Sequence, residues 1–86
     1  IATNKTTIKV SPNPSDGHIK IHSGSDLGKA KIEVISTDGK LVHCLQELAI
    51  PNGETELYLG DLRSGSYVLR IYFGQSTWEC VLIINR

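Results

Sequence analysis

The stretch IEVISTDGKLV, residues 32–42, joins two short β-type segments through an Asp-Gly pair. Apolar Ile32 and Val34 alternate with charged residues before the pair, and a second apolar segment follows it. Such alternation is typical of a strand that buries one face. Asp-Gly readily takes the positive φ angles of a two-residue hairpin turn. The stretch therefore predicts a β-hairpin with a type I′ turn at Asp38 and Gly39.

Alternation of this kind recurs along the whole chain. Candidate strands contain the sequences TTIKV, HIKIH, KIEVI, KLVHCLQEL, ETELYL, SYVLRIYF and TWECVLII, with Gly-, Pro- or Asp-containing turns between them. No segment shows a helical period. Short strands about ten residues apart predict an all-β fold, an immunoglobulin-like antiparallel β-sandwich of about seven strands. A five-stranded OB-type barrel is the alternative.

The composition restricts the function. The chain has 86 residues, and nine Lys plus Arg balance nine Asp plus Glu, so there is no basic field for nucleic acid. No apolar run approaches the ~20 residues of a transmembrane helix. The sequence lacks an initial Met and a signal peptide. We therefore expect a piece of a larger protein, with residues 1–5 as the remnant of a linker and residues 6–86 as the domain.

The segment PNPSDG, residues 12–17, predicts an abrupt end to the first strand. Pro12 and Pro14 hold φ at about −65° and have no N–H group to donate. Asn13 is pushed to an extended conformation by the proline that follows it. Gly17 can adopt the backbone conformation that the return of the chain requires. We expect a stiff, exposed turn.

A second special turn is expected at LRSGSY, residues 62–67. Leu62, Gly65 and Tyr67 stand at the entry to a late strand, which is the setting of a tyrosine corner. In that motif the phenol bonds the backbone a few residues upstream. We expect Gly65 to supply a tight backbone there.

Residues that could carry chemistry are sparse. His18 and His22 would lie ~13 Å apart along one strand, too far to share a zinc ion. His43 and Cys44 are adjacent on a strand and therefore point to opposite faces. The aspartates occur in turns without the repeated ligands of a calcium loop, and we expect them to accept local backbone N–H groups; they are Asp16, Asp26, Asp38 and Asp61. The sequence predicts no catalytic residues, no metal site and no cofactor.

Two cysteines, Cys44 and Cys80, leave two alternatives open. A disulfide would join the fourth strand to the seventh and close a loop of about 36 residues. It would require Cα atoms within ~7 Å. Otherwise both are buried thiols on strands that never meet.

Four segments together resemble one protein family. They are SPNPSDG (residues 11–17), IEVISTDGKLV (residues 32–42), LYLGDLRSGSYVLRI (residues 57–71) and VLIINR (residues 81–86). In order and spacing they are similar to the type A C-terminal sorting domain of the type IX secretion system, or Por secretion system, of certain Gram-negative bacteria. The resemblance covers nearly the whole chain.

The resemblance implies an immunoglobulin-like, non-catalytic secretion signal, covalently part of a larger cargo protein. The cargo would cross the periplasm and then reach the cell surface or be secreted. The implied partners are the outer-membrane translocon, a shuttle protein and a surface sortase that removes the domain. The implied recognition residues are Pro12, Asn13, Pro14, Gly17, Asp38, Gly39, Leu62, Gly65, Tyr67 and Arg86.

Two other functions remain open from the sequence. One is a retained domain of a cell-surface secretion component, used for docking or for binding lipopolysaccharide. The other is an accessory carbohydrate-binding or adhesion sandwich, which would need an aromatic platform on an exposed face.

Overall fold

The predicted strands form a β-sandwich. The structure, a computed structural model, describes residues 7–60 and 62–86. Its strands are β1 (Ile8–Ser11), β2 (His18–Ser23), β3 (Gly28–Ser36), β4 (Leu41–Ile50), β5 (Gly53–Tyr58), β6 (Gly65–Phe73) and β7 (Ser76–Ile84). These ranges contain no helix. The expected linker remnant, Thr6 at the start of the first predicted strand, and Asp61 lie outside the described residues.

The strands form two antiparallel sheets. One has the order β1-β2-β5 and the other the order β4-β3-β6-β7. This confirms the antiparallel sandwich, and the five-stranded barrel was the wrong alternative. Strand β7 is an edge strand of the larger sheet, and β4 is the opposite edge.

The core lies between the sheets and follows the sequence alternation. In the larger sheet Ile32 of β3 pairs with Ile71 of β6, and both side chains are fully buried. In the smaller sheet Ile19 and Ile21 of β2 are equally buried. Leu82 of β7 completes this interior with no exposed surface. Because these core side chains are apolar and come from both sheets, burial of apolar surface holds the sheets together.

The outer face of the larger sheet carries a polar network instead. Tyr72 donates its phenol hydrogen to Glu33 at 2.8 Å, and Arg70 donates to Glu79 at 2.8 Å. The hydrogen bond from Tyr72, followed by that from Lys31, lowers the pKa of Glu33. These residues occupy neighbouring strands, so cross-strand pairing accounts for the contacts.

The β3–β4 hairpin is present, but the predicted type I′ turn is wrong. A type I′ turn needs positive φ at both central residues, and no described residue other than glycine has positive φ. Gly39 has a φ of 87° and donates its N–H to the carbonyl of Ser36 at 2.9 Å. The N–H of Ser36 in turn donates to the carbonyl of Lys40 at 2.8 Å. The loop therefore has three residues with glycine in the left-handed position, and the Asp38 carboxylate accepts the Ser36 hydroxyl.

The sheet order separates the two cysteines. Both are free thiols. Cys44 pairs with Glu33 on β3, in a row that points outward, whereas Cys80 pairs with Leu69 on β6, in a row that points to the core. Strands β4 and β7 are opposite edges of the sheet, about 14 Å apart at three strand spacings. We therefore predict no bridge within one chain; the two strands do not meet, and both thiols are half-buried instead of buried as the alternative expected.

This placement predicts the result of thiol titration. Unfolding the protein without reductant is expected to expose two reactive thiols per chain, because Cys44 and Cys80 cannot reach each other. A chromogenic thiol reagent measures the number of reactive thiols per chain. Titration after prior reduction serves as the control and should give the same value. A chain of monomeric mass without reactive thiols would contradict the strand order.

Candidate recognition site at the C-terminal strand

The turn after β1 crosses from one sheet to the other. Strand β1 pairs with β2 up to Ser11 and then ends, as the prolines predicted. Ser15 next forms a parallel bridge with Ile84 of β7. Its N–H donates to the carbonyl of Ile83 at 2.8 Å, and the N–H of Asn85 donates to its carbonyl at 2.7 Å. The turn thus covers the free edge of β7.

Asn13 extends this cover with its side chain. Its Nδ2 donates to the carbonyl of Val81 at 2.8 Å, and its Oδ1 accepts the N–H of Ile83 at 2.9 Å. Pro12 and Pro14 on either side are exposed, and the peptide bonds that precede them are cis. The carboxamide therefore makes the two hydrogen bonds that a neighbouring strand would make.

The second half of the turn is held locally. Gly17 has a φ of 114°, which agrees with its expected role in the return. Its carbonyl accepts the N–H of Leu59 at 2.8 Å. The Asp16 carboxylate accepts the N–H of His18 at 3.1 Å, and this bond lowers the pKa of Asp16. Asp26 likewise accepts the N–H of Gly28, as expected of a turn aspartate.

Arg86 folds back onto the same region. Its Nε donates to the carbonyl of Leu62 at 2.6 Å, and its Nη2 donates to the carbonyl of Gly60. Its backbone N–H donates to the hydroxyl of Ser64 at 3.0 Å. A Cβ atom at Gly17 would lie 2.8 Å from Nη2. The sequence offered Arg86 as a recognition residue and gave no sign of these internal contacts.

The tyrosine corner is confirmed. The Tyr67 hydroxyl donates to the carbonyl of Arg63 at 2.7 Å. Gly65 has a φ of 159°, at the extended limit of the range that residues with a Cβ rarely adopt. A Cβ there would meet the Tyr67 ring at 3.9 Å, an ordinary contact. The hydroxyl bond is therefore the direct evidence for the corner.

The candidate recognition residues gather unevenly. The turn residues and Arg86 contact β7 or the segment that leads to β6, and Tyr67 pairs with Leu82 of β7. Asp38 and Gly39 lie apart, at the tip of the β3–β4 hairpin. The last paired residue there, Ser36, faces Tyr67 on β6. The hairpin tip is therefore separate from the contacts around the end of β7, and the recognition role of Asp38 and Gly39 stays a prediction.

An open groove of about 480 Å³ runs between β1 and the edge of β7. It is lined by Lys9, Val10, Ser11, Asn13, His22, Trp78 and Cys80. Burial raises the pKa of the Cys80 thiol, which keeps it protonated and a poor nucleophile. In the described residues no three His, Cys, Asp or Glu side chains group to hold a metal ion. The groove depends on which strands are edges, so no local sequence signal indicates it.

Strand β7 also exposes apolar side chains to solvent. Val81 is 58% exposed and Ile83 is 41% exposed, while Leu82 and Ile84 between and beyond them are buried. These exposed residues alternate with the core residues of the same strand. The site can therefore offer an ordered apolar strand, with a fixed arginine at its end, to a partner.

The family of the domain is identified by comparison with known proteins. Residues 7–60 and 62–86 contain no helix long and apolar enough to cross a membrane. A search of curated proteins finds no match. The family described as the secretion system C-terminal sorting domain matches residues 9–85, a range that includes the PNPSDG turn, the hairpin and the tyrosine corner. The chain therefore belongs to the family of type IX secretion system C-terminal sorting domains, which mark proteins for export to the cell surface or beyond.

Proposed function

We propose that this domain is a non-catalytic sorting signal that directs a covalently attached cargo protein across the outer membrane. In this proposal the cargo waits in the periplasm, the translocon and its shuttle protein bind the domain, and a surface sortase removes it during anchoring. The domain itself supplies a binding surface and performs no chemistry. The general role of a sorting signal follows from membership of the family.

One observation carries the proposal beyond the family. Contacts around the end of β7 are made by the turn at residues 12–17, by Arg86, and by Gly60, Leu62 and Ser64. Most of the motif residues thus support one strand end instead of converging on a cavity with reactive groups. This arrangement is typical of a signal that is read as a shaped surface.

The surface we propose as the signal consists of the described residues 81–86. Val81 and Ile83 project outward from it. The guanidinium of Arg86 is tied to the carbonyls of Gly60 and Leu62. An apolar partner surface can bury the exposed side chains, and the ordered backbone lowers the entropy that binding would cost.

A reporter fusion tests the proposal. Residues 1–86 are fused to the C-terminus of a reporter that carries a periplasmic signal peptide, in a host with a type IX secretion system. The intact fusion is expected at the cell surface or in the medium. Deletion of residues 83–86 removes part of the proposed surface and is expected to leave the reporter in the periplasm. Cell fractionation and reporter activity measure the distribution.

The control and the sortase step use the same strain. The Glu47→Ala variant removes an exposed side chain of β4, at the opposite edge of the sheet from β7, and is expected to be exported like the parent. Mass analysis of the surface reporter is expected to show that residues 1–86 have been removed. Equal export with and without residues 83–86 would refute the terminal signal. A mature reporter that keeps the domain would refute removal and favour a retained docking role.

A further inference from the structure

The cover on β7 is built by two residues far away in sequence. One side of β7 pairs with β6. On the other side, Val81, Ile83 and Asn85 direct their backbone groups outward, because alternate residues of an antiparallel strand face the same neighbour. Asn13 bonds Val81 and Ile83. Ser15 bonds Ile83 and Asn85.

We propose that Asn13 is a positioning residue of the sorting signal, which acts through β7 and is not itself read by the export machinery. It holds residues 81–85 in one strand conformation, so that Val81 and Ile83 are presented on a fixed frame. This inference rests on the proposed function, because it assumes that the end of β7 is recognised.

The chemistry of the side chain explains why asparagine serves here. A carboxamide carries one acceptor oxygen and a donor nitrogen, as a peptide group does. An aspartate in its place would accept from Ile83 but could not donate to Val81. The carboxylate charge would also face the Val81 carbonyl. Alanine would make neither bond. A single asparagine side chain therefore bonds both the Val81 carbonyl and the Ile83 N–H.

The neighbouring residues favour a role in positioning. Pro12 and Pro14 have fixed φ angles and no N–H, so the backbone on both sides of Asn13 is restricted. Asn13 and both prolines are exposed, and of the three side chains it is that of Asn13 whose polar atoms hydrogen-bond β7. A partner could bond the carboxamide fully only after β7 had released it.

Amide exchange tests the positioning directly, without reference to export. The reporter fusion is compared with its Asn13→Ala and Asn13→Asp variants by hydrogen exchange and mass spectrometry. Loss of a hydrogen bond and of local order is expected to make exchange in residues 81–85 about tenfold faster in both variants. Exchange in β2 and β3 is expected to remain close to that of the parent.

Export is then measured for the same proteins. Both Asn13 variants are expected to show a several-fold loss of surface delivery. The control is Tyr72→Phe, which removes a hydrogen bond to Glu33 on the outer sheet face and leaves the cover on β7 intact. It is expected to be delivered like the parent, although it loses both hydrogen bonds of the Tyr72 hydroxyl, the one donated to Glu33 and the one accepted from Arg70.

The outcomes separate the two ideas. Unchanged exchange at residues 81–85 in both variants would overturn the positioning role, as would faster exchange with parental delivery. Equal loss of delivery in Tyr72→Phe would also overturn it, because general destabilisation would then explain the effect. If the unmodified fusion is not delivered, the proposed function fails, while the exchange result still tests the contact.

Discussion

Replacing Leu82 with alanine is expected to lower the free energy of unfolding by about 2–5 kcal/mol. The side chain has no exposed surface and lies on β7 opposite Tyr67. Truncation removes buried apolar atoms and leaves a cavity in a closely packed interior. A domain of this length has a total stability of only about 4–13 kcal/mol. The substitution is therefore expected to remove a large fraction of the free energy of unfolding.

Urea unfolding followed by intrinsic fluorescence or circular dichroism measures this loss. The matched control is Val81→Ala, one position earlier on the same strand, where the side chain is 58% exposed. Its effect is expected to stay within about 0.5 kcal/mol. Similar unfolding midpoints for the two variants would contradict the assignment of which face of β7 is buried.

Replacing Gly17 with alanine is expected to cost about 1–3 kcal/mol from backbone strain alone. Its φ of 114° is a conformation that residues with a Cβ rarely adopt. The new Cβ would also lie 2.8 Å from the Arg86 Nη2. The guanidinium would have to move, and its hydrogen bonds to Gly60 and Leu62 would be lost or weakened. Those bonds contribute about 0.5–1.5 kcal/mol each.

Two comparisons separate the strain from the contact. Gly74→Ala also places a Cβ at positive φ, 58°, but no atom lies within 4 Å of it. Its cost is expected to be about 1–2 kcal/mol, below that of Gly17→Ala. In an Arg86→Ala background the difference is expected to shrink, because the contact is gone. Equal costs at both glycines in the parent, measured by chemical unfolding, would contradict the contact with Arg86.

Local features of this chain were predictable from sequence because their causes are local. The alternation of Ile32 and Val34 with charged neighbours decides which face of β3 is buried. The tyrosine corner depends on Tyr67 and a carbonyl four residues earlier. The turn type at Asp38 and Gly39 was missed because Asp-Gly also fits a three-residue loop. There the aspartate keeps negative φ and accepts the Ser36 hydroxyl.

Long-range features were not predictable, because alternation does not specify strand order. The separation of Cys44 from Cys80 follows from β4 and β7 being opposite edges. The bonds from Asn13 to Val81 and Ile83 span 68 and 70 positions in sequence. Nothing in the PNPSDG segment names its partner strand. The segment was therefore predicted as an exposed turn, and the hydrogen bonds of its Asn13 side chain to β7 were not predicted.

Strand β7 belongs both to the interior of the sandwich and to the surface proposed as the signal. Strand β7 supplies the buried Leu82 and Ile84, and its last residues are the partners of Asn13 and Ser15. A chain broken before residue 81 lacks both the interior side chains and the groups that the turn covers. Such a product would lose its folded sandwich together with the surface that we propose as the signal. In the proposed function, any change that unfolds the sandwich would then also remove the surface that is recognised, so export would depend on folding.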